Sequence, residues 1–436
     1  MSSMRAHLIG ARGAEDACRP PALRRRARRA RAAALLALLC PLCALAPARP
    51  HAQENPKRGE FGSSLGRLRW DPLKKASVET GAAAAAAGAG EAGEDEVVRV
   101  QSTLVTTDVL VLDKDGRAVR GLTRDDFVVT EEGRPQPLTT FATGDDARRP
   151  RSVVLVIDYS GSQLPYLNTS IEAAKVLVDQ LHPADSMAIV TDDVSLLADF
   201  TRDKARLKEA LDSLVKRADD DRRFGASRQY SALMAVLREL VVGRERPIVI
   251  FQTDGDEFPF LRPLAPDTPG GIKSRAVEFG LADVIAAAER AHATVYNIVP
   301  GLRLFGLPPD AQIERAKASL KDQFTPARPA PLAQAPVSRG VPAAWFNEYV
   351  ERLLKAQTAL EGLSKLTGGW TEFLEEPGQA AQVYARILSD VNNRYVLGFQ
   401  PTDKAHDGRR HRVGIEVRGH PEYTVWGRKS YYAPGR

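Results

Sequence analysis

Cysteine is nearly missing from this chain. There are 3 in 436 residues, and all of them, Cys18, Cys40 and Cys43, fall within the first 52. Beyond residue 52 no thiol remains for a disulfide scaffold, a thiolate nucleophile or a Cys-ligated zinc site. No apolar run reaches the roughly 20 residues that cross a bilayer. The candidate stretch, Ala32–Ala46, has fifteen residues and is broken by Pro41. Three catalytic signatures are also lacking: G-x-S-x-G, H-E-x-x-H and G-x-x-x-x-G-K-[ST]. With 43% hydrophobic and 27% charged residues, the composition is that of a folded protein. The length suits two or three domains.

Positive charge is scarce outside the start of the chain. The whole sequence carries +6, but residues 1–52 hold ten arginines, no lysine and only two acids, Glu15 and Asp16. That segment is +8 and the remainder is −2. A slightly acidic remainder without a basic stripe excludes a nucleic-acid binder. The cluster Arg24–Arg31 runs into Ala32–Ala46, and Ala46-Pro47-Ala48 follows the small-residue pattern of a cleavage site. We therefore expect 1–52 to be a secretory signal peptide, cut after Ala48 or Ala52. An uncleaved anchor is the alternative. Either way the protein is expected to be exported, to the periplasm, the cell surface or the medium.

Composition divides the rest. Residues 53–96 are polar and then Ala/Gly-rich, a low-complexity linker. Residues 97–147 alternate β-branched positions with turn signals at Asp113-Lys114-Asp115-Gly116 and Glu131-Glu132-Gly133, a small β-rich module. Residues 148–392 alternate apolar strands (153–157, 187–190, 248–251, 294–299) with helical patterns. That alternation predicts a parallel sheet covered on both faces, a doubly wound Rossmann-like α/β domain. A Pro/Ala-rich excursion at 301–342 interrupts it, with a short helix near 313–320. A helix over 345–366 is ended by Gly368-Gly369. Residues 393–436 read as a C-terminal β appendage.

In an open α/β sheet, ligands bind beyond the carboxyl ends of the strands. Asp158-Tyr159-Ser160-Gly161-Ser162 follows the first apolar strand, and Gln252-Thr253-Asp254-Gly255-Asp256 follows a later one. Carboxylates and hydroxyls are the oxygen ligands that hard divalent cations take. Asp158, Ser160 and Ser162, spaced by two along an extended turn, can aim three oxygens at one point. Taken singly, Asp158 reads equally as a turn or helix-capping residue. Asp256 and Glu257 stand either beside such a site or in solvent. Asp192, Asp193, His182 and His292 read as structural, and His406, His411 and His420 show no ligand spacing.

The order Asp-x-Ser-x-Ser, then Thr-Asp-Gly behind a later strand, resembles the metal-ion-dependent adhesion site of von Willebrand factor type A domains. The segments around Asp113–Gly116, Asp125-Asp126-Phe127, Asn393–Phe399 and Arg428–Tyr432 are similar to the flanking parts of acidobacterial-type von Willebrand A-related proteins. The resemblance spans roughly 97–432. It implies a Rossmann-like fold with a metal at the carboxyl edge. Asp158, Ser160 and Ser162 would form the first loop. Ser231, in Tyr230-Ser231-Ala232-Leu233, would replace the second-loop threonine, and Asp254 would be the third-loop carboxylate. The implied cation is Mg²⁺, with Mn²⁺ or Ca²⁺ as alternatives. The implied activity is non-enzymatic: an open coordination position accepts an Asp or Glu carboxylate of a protein partner. Two rivals stand beside it, a structural envelope protein with a vestigial metal site and a metal-dependent hydrolase.

Overall fold

The computed structural model describes residues 61–71, 76–79, 104–143, 150–220, 227–257, 279–324, 343–402 and 407–433. The expected signal peptide lies outside these residues, as do the Ala/Gly run at 81–93 and residues 325–342. No helix among the described residues is long and apolar enough to cross a membrane.

The segment expected to be a linker is partly folded. A 3₁₀ turn, Ser63–Arg67, leads into β1 (Leu68–Asp71), which pairs antiparallel with β2 (Ala76–Glu79). Phe61 and Leu65 pack against the core of the α/β domain. Glu239 accepts the backbone N–H groups of Gly62 (2.7 Å) and Ser64 (2.6 Å). Two apolar anchors in a polar stretch are too sparse for a periodic pattern.

The β module and the β appendage are one body. The strands β3 (Val105–Leu112), β4 (Phe127–Glu131), β5 (Arg134–Gln136) and β6 (Leu138–Ala142) come before the α/β domain. Their partners β13 (Tyr395–Phe399), β14 (Arg410–Val417), β15 (Thr424–Trp426) and β16 (Ser430–Tyr432) come after it. One sheet has the order β15-β3-β13-β6 and the other β16-β14-β4-β5. Neither sheet is complete without both segments. Val109, Val111, Phe127, Val129, Leu397, Phe399, Val413 and Ile415 fill a common core. Sequence windows of about fifty residues hide this arrangement, because the pairing is separated by the whole inserted domain.

That insert supplies β7 (Ser152–Ile157), β8 (Ser186–Thr191), β9 (Ser195–Thr201), β10 (Pro247–Gln252), β11 (Thr294–Pro300) and β12 (Thr371–Leu374). Its helices are α1 (Leu164–Gln180), α2 (Lys204–Asp220), α3 (Gln229–Ala235), α4 (Leu281–Arg290), α5 (Pro309–Phe324), α6 (Ala343–Thr367) and α7 (Ala380–Asn392). The six-stranded sheet has the order β12-β11-β10-β7-β8-β9, and only β9 runs antiparallel to its neighbour. This is the doubly wound Rossmann-like sheet expected from the alternating pattern. Strand periodicity sends Val153, Leu155 and Ile157 to one face, with Ile171, Val178 and Ile387. It sends Val154 and Val156 to the other, with Leu233, Val284 and Leu360. Connections leave β7 toward β8 on one side and arrive at β10 on the other. The carboxyl ends of β7 and β10 are therefore the switch point of the sheet, where a crevice opens.

Gly369 fixes the last strand. A Cβ there would lie 2.0 Å from the carbonyl oxygen of Val295, so only glycine allows the backbone to approach β11 that closely.

The sandwich sits against the amino ends of the strands. Arg394, 2% exposed, donates to Tyr296 Oη (3.0 Å), the Gly368 carbonyl (2.7 Å) and the Asp108 carbonyl (3.3 Å). Arg246 pairs with Asp108 at 2.6 Å. Arg410 clamps the buried Glu289 with two nitrogens, and Arg428 pairs with His292. Arg246 and His292 lie within two residues of the starts of the parallel strands β10 and β11, so the opposite, carboxyl edge remains available to the loops.

Two outcomes follow. Ala142 pairs with Val396, so the inserted domain leaves and rejoins the sandwich at adjacent points. Joining residues 104–143 to 394–433 through a short flexible linker should give a cooperatively unfolding sandwich, whereas 97–147 alone should not fold. Circular dichroism with urea unfolding checks both. The second outcome concerns His292, whose pKa burial, with a smaller push from Arg428, lowers to about 4. The unfolded imidazole protonates near 6.5, so stability present above that pH is lost as pH falls toward 4. The loss is at most about 3 kcal/mol. His292 has a φ of 54°, which asparagine tolerates. His292→Asn should flatten that acid loss in urea unfolding compared at pH 4.5 and 7.

Candidate metal and adhesion site

The loop after β7 begins with Asp158, whose N–H is still in the sheet, donating to the Gln252 carbonyl at 3.0 Å. Its side chain is 1% exposed. Oδ1 accepts the Ser160 N–H at 2.9 Å, an Asx turn that bends the chain toward the 3₁₀ turn Gly161–Gln163 and helix α1. Ser160 Oγ and Ser162 Oγ lie 3.3 Å apart. Ser162 Oγ donates to Asp254 Oδ2 at 2.6 Å. The first and third loops therefore meet. Gly255, with a φ of 72°, turns the third loop: a Cβ there would come within 2.8 Å of the Leu360 side chain.

Thr253 Oγ1 donates to Asp158 Oδ2 at 3.2 Å and accepts the Gly255 N–H at 3.0 Å. It is a strand-end hydroxyl that steers the carboxylate. The loop between β8 and β9 adds Asp192, fully buried, whose carboxylate accepts the Tyr159 N–H at 3.3 Å. Its backbone carbonyl accepts the Arg228 N–H at 3.0 Å, which ties the approach to α3 to the same edge. Asp192 thus lies closer to the site than a bland loop residue would.

The structure brings together Asp158, Ser160, Ser162 and Asp254. It places Ser231 differently. The Ser231 hydroxyl donates to Glu257 Oε1 at 3.1 Å and its N–H to Oε2 at 3.3 Å. Glu257 also accepts the Tyr230 N–H, so its carboxylate gathers the free donors at the start of α3. Two residues earlier, Gln229 reaches the carboxylates instead. Its Nε2 donates to Asp158 Oδ2 (2.7 Å) and Asp254 Oδ1 (3.0 Å). Gln163 approaches from the first loop, with Nε2 3.1 Å from Asp254 Oδ2. Neither glutamine stands out in the sequence. Only their positions, one directly after Ser162 and one two before Ser231, hint at a role.

Burial raises the Asp158 pKa to about 8, and the neighbouring charges of Asp254 and Asp192 push the same way. Burial also lifts Glu257, to about 7, against the hydrogen bonds it accepts. A buried carboxylate beside two others needs a proton or a cation. The donor set fits a hard divalent ion: two carboxylates, two serine hydroxyls and buried amides with oxygens to spare. Among the described residues no three His, Cys, Asp or Glu side chains gather to hold a metal unaided. Any cation here would depend on the hydroxyls and amides. Asp158, Ser160, Ser162 and Asp254 would hold it, and it would supply an electrophilic centre at the rim.

Glu257→Ala should leave the Tyr230 and Ser231 donors unsatisfied. The expected destabilisation is about 1–3 kcal/mol in chemical unfolding, with Glu257→Gln losing less because it keeps an acceptor.

No family model and no curated protein matches the chain. Solved structures do. A von Willebrand factor type A protein from Catenulispora acidiphila is 12% identical, covers 77% of this chain and 75% of its own, and has a TM-score of 0.34. Proximal thread matrix protein 1 of the mussel byssus, with a zinc-occupied MIDAS motif, is 13% identical over 56% of this chain and 48% of its own, with a TM-score of 0.32. The von Willebrand domain of the type V pilus tip protein Mfa5 from Porphyromonas gingivalis is 15% identical over 56% and 95%, with a TM-score of 0.31. Scores this low leave the site's chemistry to its own residues. The chain resembles von Willebrand factor type A domains in its Rossmann-like sheet and in the two aspartate loops at the carboxyl edge of that sheet.

Proposed function

We propose that this chain is an exported binding protein that engages a protein partner through a divalent cation, Mg²⁺ or a similar hard ion, at the β7/β10 edge. One observation carries the reading. A buried Asp158 and a partly exposed Asp254 converge with two serine hydroxyls at the sheet's switch point. Two carboxylates balance a divalent charge, and the hydroxyls are neutral. A cation so held still favours an anionic ligand from outside. Ser162 is exposed, so a partner's Asp or Glu carboxylate can reach that side. The sandwich lies at the other end of the strands and does not obstruct it.

We place the protein with binding modules rather than enzymes. Among the described residues, the Ser160 and Ser162 hydroxyls interact with each other, Asp254 and Gln163, and no histidine stands ready as a base. A second reading has its own observation. The Ser162–Asp254 hydrogen bond and the Gln229 amide satisfy the carboxylates without a metal, as in a structural envelope protein whose site is vestigial.

Immobilised protein in Mg²⁺ should retain an envelope partner that is released by chelator and not retained by Asp158→Ala. Calorimetric titration separates the two readings: wild-type protein that takes up neither Mg²⁺ nor Mn²⁺ would sink the adhesion mechanism.

A further inference from the structure

The second loop carries a side chain that the von Willebrand A resemblance does not provide. Gln229 is 1% exposed, and its amide nitrogen bridges the two carboxylates at 2.7 and 3.0 Å. Its carbonyl oxygen, Oε1, is buried and has no hydrogen-bond partner among the described residues. Gln163, also 1% exposed, repeats the pattern. Its Nε2 faces Ser162 and Asp254, and its Oε1 is buried without a partner among the described residues. An unpaired buried carbonyl is costly, and two beside one carboxylate pair call for a reason.

The two ends of a primary amide have nearly the same shape, and a half-turn about the last torsion exchanges them. Facing bare carboxylates, the N–H end is favoured. Facing a cation held by those carboxylates, the oxygen end is favoured, since glutamine carbonyls are ordinary ligands of hard cations. The spacing suits the exchange. Six oxygens at 2.0–2.1 Å around a small ion stand about 2.9 Å from their neighbours. The Nε2 position is 2.7 Å from Asp158 Oδ2 and 3.0 Å from Asp254 Oδ1, close to that edge length. Ser231 is occupied elsewhere, on Glu257.

We infer that Gln229, and not Ser231, is the second-loop ligand of the cation, presenting its carbonyl oxygen where its amide nitrogen now stands. This rests on the metal reading of the site. In the metal-free protein the same amide donates to both carboxylates, which holds the site together between loadings.

Calorimetric titration of the full chain with Mg²⁺ and Mn²⁺ tests the inference. Gln229→Leu should weaken binding by about tenfold or more, while Ser231→Ala should bind as wild type does. Gln229→Glu keeps an oxygen at the position and should bind the ions where Gln229→Leu does not, although its metal-free form carries one more buried carboxylate. A cooperative urea transition of Gln229→Leu in chelator separates lost ligation from lost folding. Protein labelled with ¹⁵N in the glutamine side chains gives a second readout: the NH₂ signal missing from Gln229→Leu should shift on Mg²⁺ addition to wild type. Ser227 offers the other second-loop oxygen, a buried hydroxyl without a partner among the described residues. The inference is overturned if Ser231→Ala or Ser227→Ala weakens binding tenfold while Gln229→Leu does not. Wild type that binds neither ion overturns the adhesion reading as well.

Discussion

The burial of one carboxylate organises this edge of the molecule. Asp158 lies at the end of a fully buried strand, beside Asp254 and Asp192. An ionised carboxylate in that position lacks water and faces two like charges. Its surroundings answer both deficits. Ser160 N–H, Thr253 Oγ1 and Gln229 Nε2 all donate to it. Each donor comes from a different loop, and each loop is held by its own strand or helix. Satisfying Asp158 therefore draws the first, second and third loops to one point, with or without a cation.

The sandwich explains why those loops stand clear. The inserted domain is attached at the amino ends of its strands, through the buried Arg394 and the pairs Arg246–Asp108, Arg410–Glu289 and Arg428–His292. The two ion pairs, Arg246–Asp108 and Arg410–Glu289, are partly buried, and Arg428 donates to the neutral imidazole of His292. Such pairs add little net stability, but removing one partner is costly. They therefore fix orientation more than they add free energy. Both chain crossings lie on that side, so the carboxyl edge is free of tethers. A binding rim opposite its attachment suits a module that presents a site outward.

Much of this was legible in the residues. The strand at 153–157, the helix stop at Gly368-Gly369 and the aspartates behind β7 and β10 follow from periodicity, turn chemistry and hard-ligand chemistry. The sandwich was not legible as one body. Leu397 pairs with Thr107 and Phe141, and sequence patterns carry no information about pairings that distant. The folded part of the linker escaped notice because two apolar anchors make no period. In the site, the Asp-x-Ser-x-Ser loop was plain because its spacing is local. Ser231 was placed by its neighbours Ala232-Leu233, and motif spacing says nothing about which way a hydroxyl turns. Glu257 decides that, from a loop 26 residues away.

The same reasoning explains why glutamine can serve at position 229, where an acid would create a different site. A further carboxylate beside Asp158, Asp254 and Asp192 would add like charge in a place already short of water, and without a cation it would have to be protonated. A hydroxyl makes one short reach and can be captured by a neighbour, as Ser231 is by Glu257. An amide is neutral, long enough to span both carboxylates and able to offer either a donor or an acceptor. It lets the edge hold its shape when the cation is absent and leaves the charge balance of a loaded site at two against two. On the adhesion reading, that balance keeps the cation receptive to a further carboxylate, which a more acidic cage would repel.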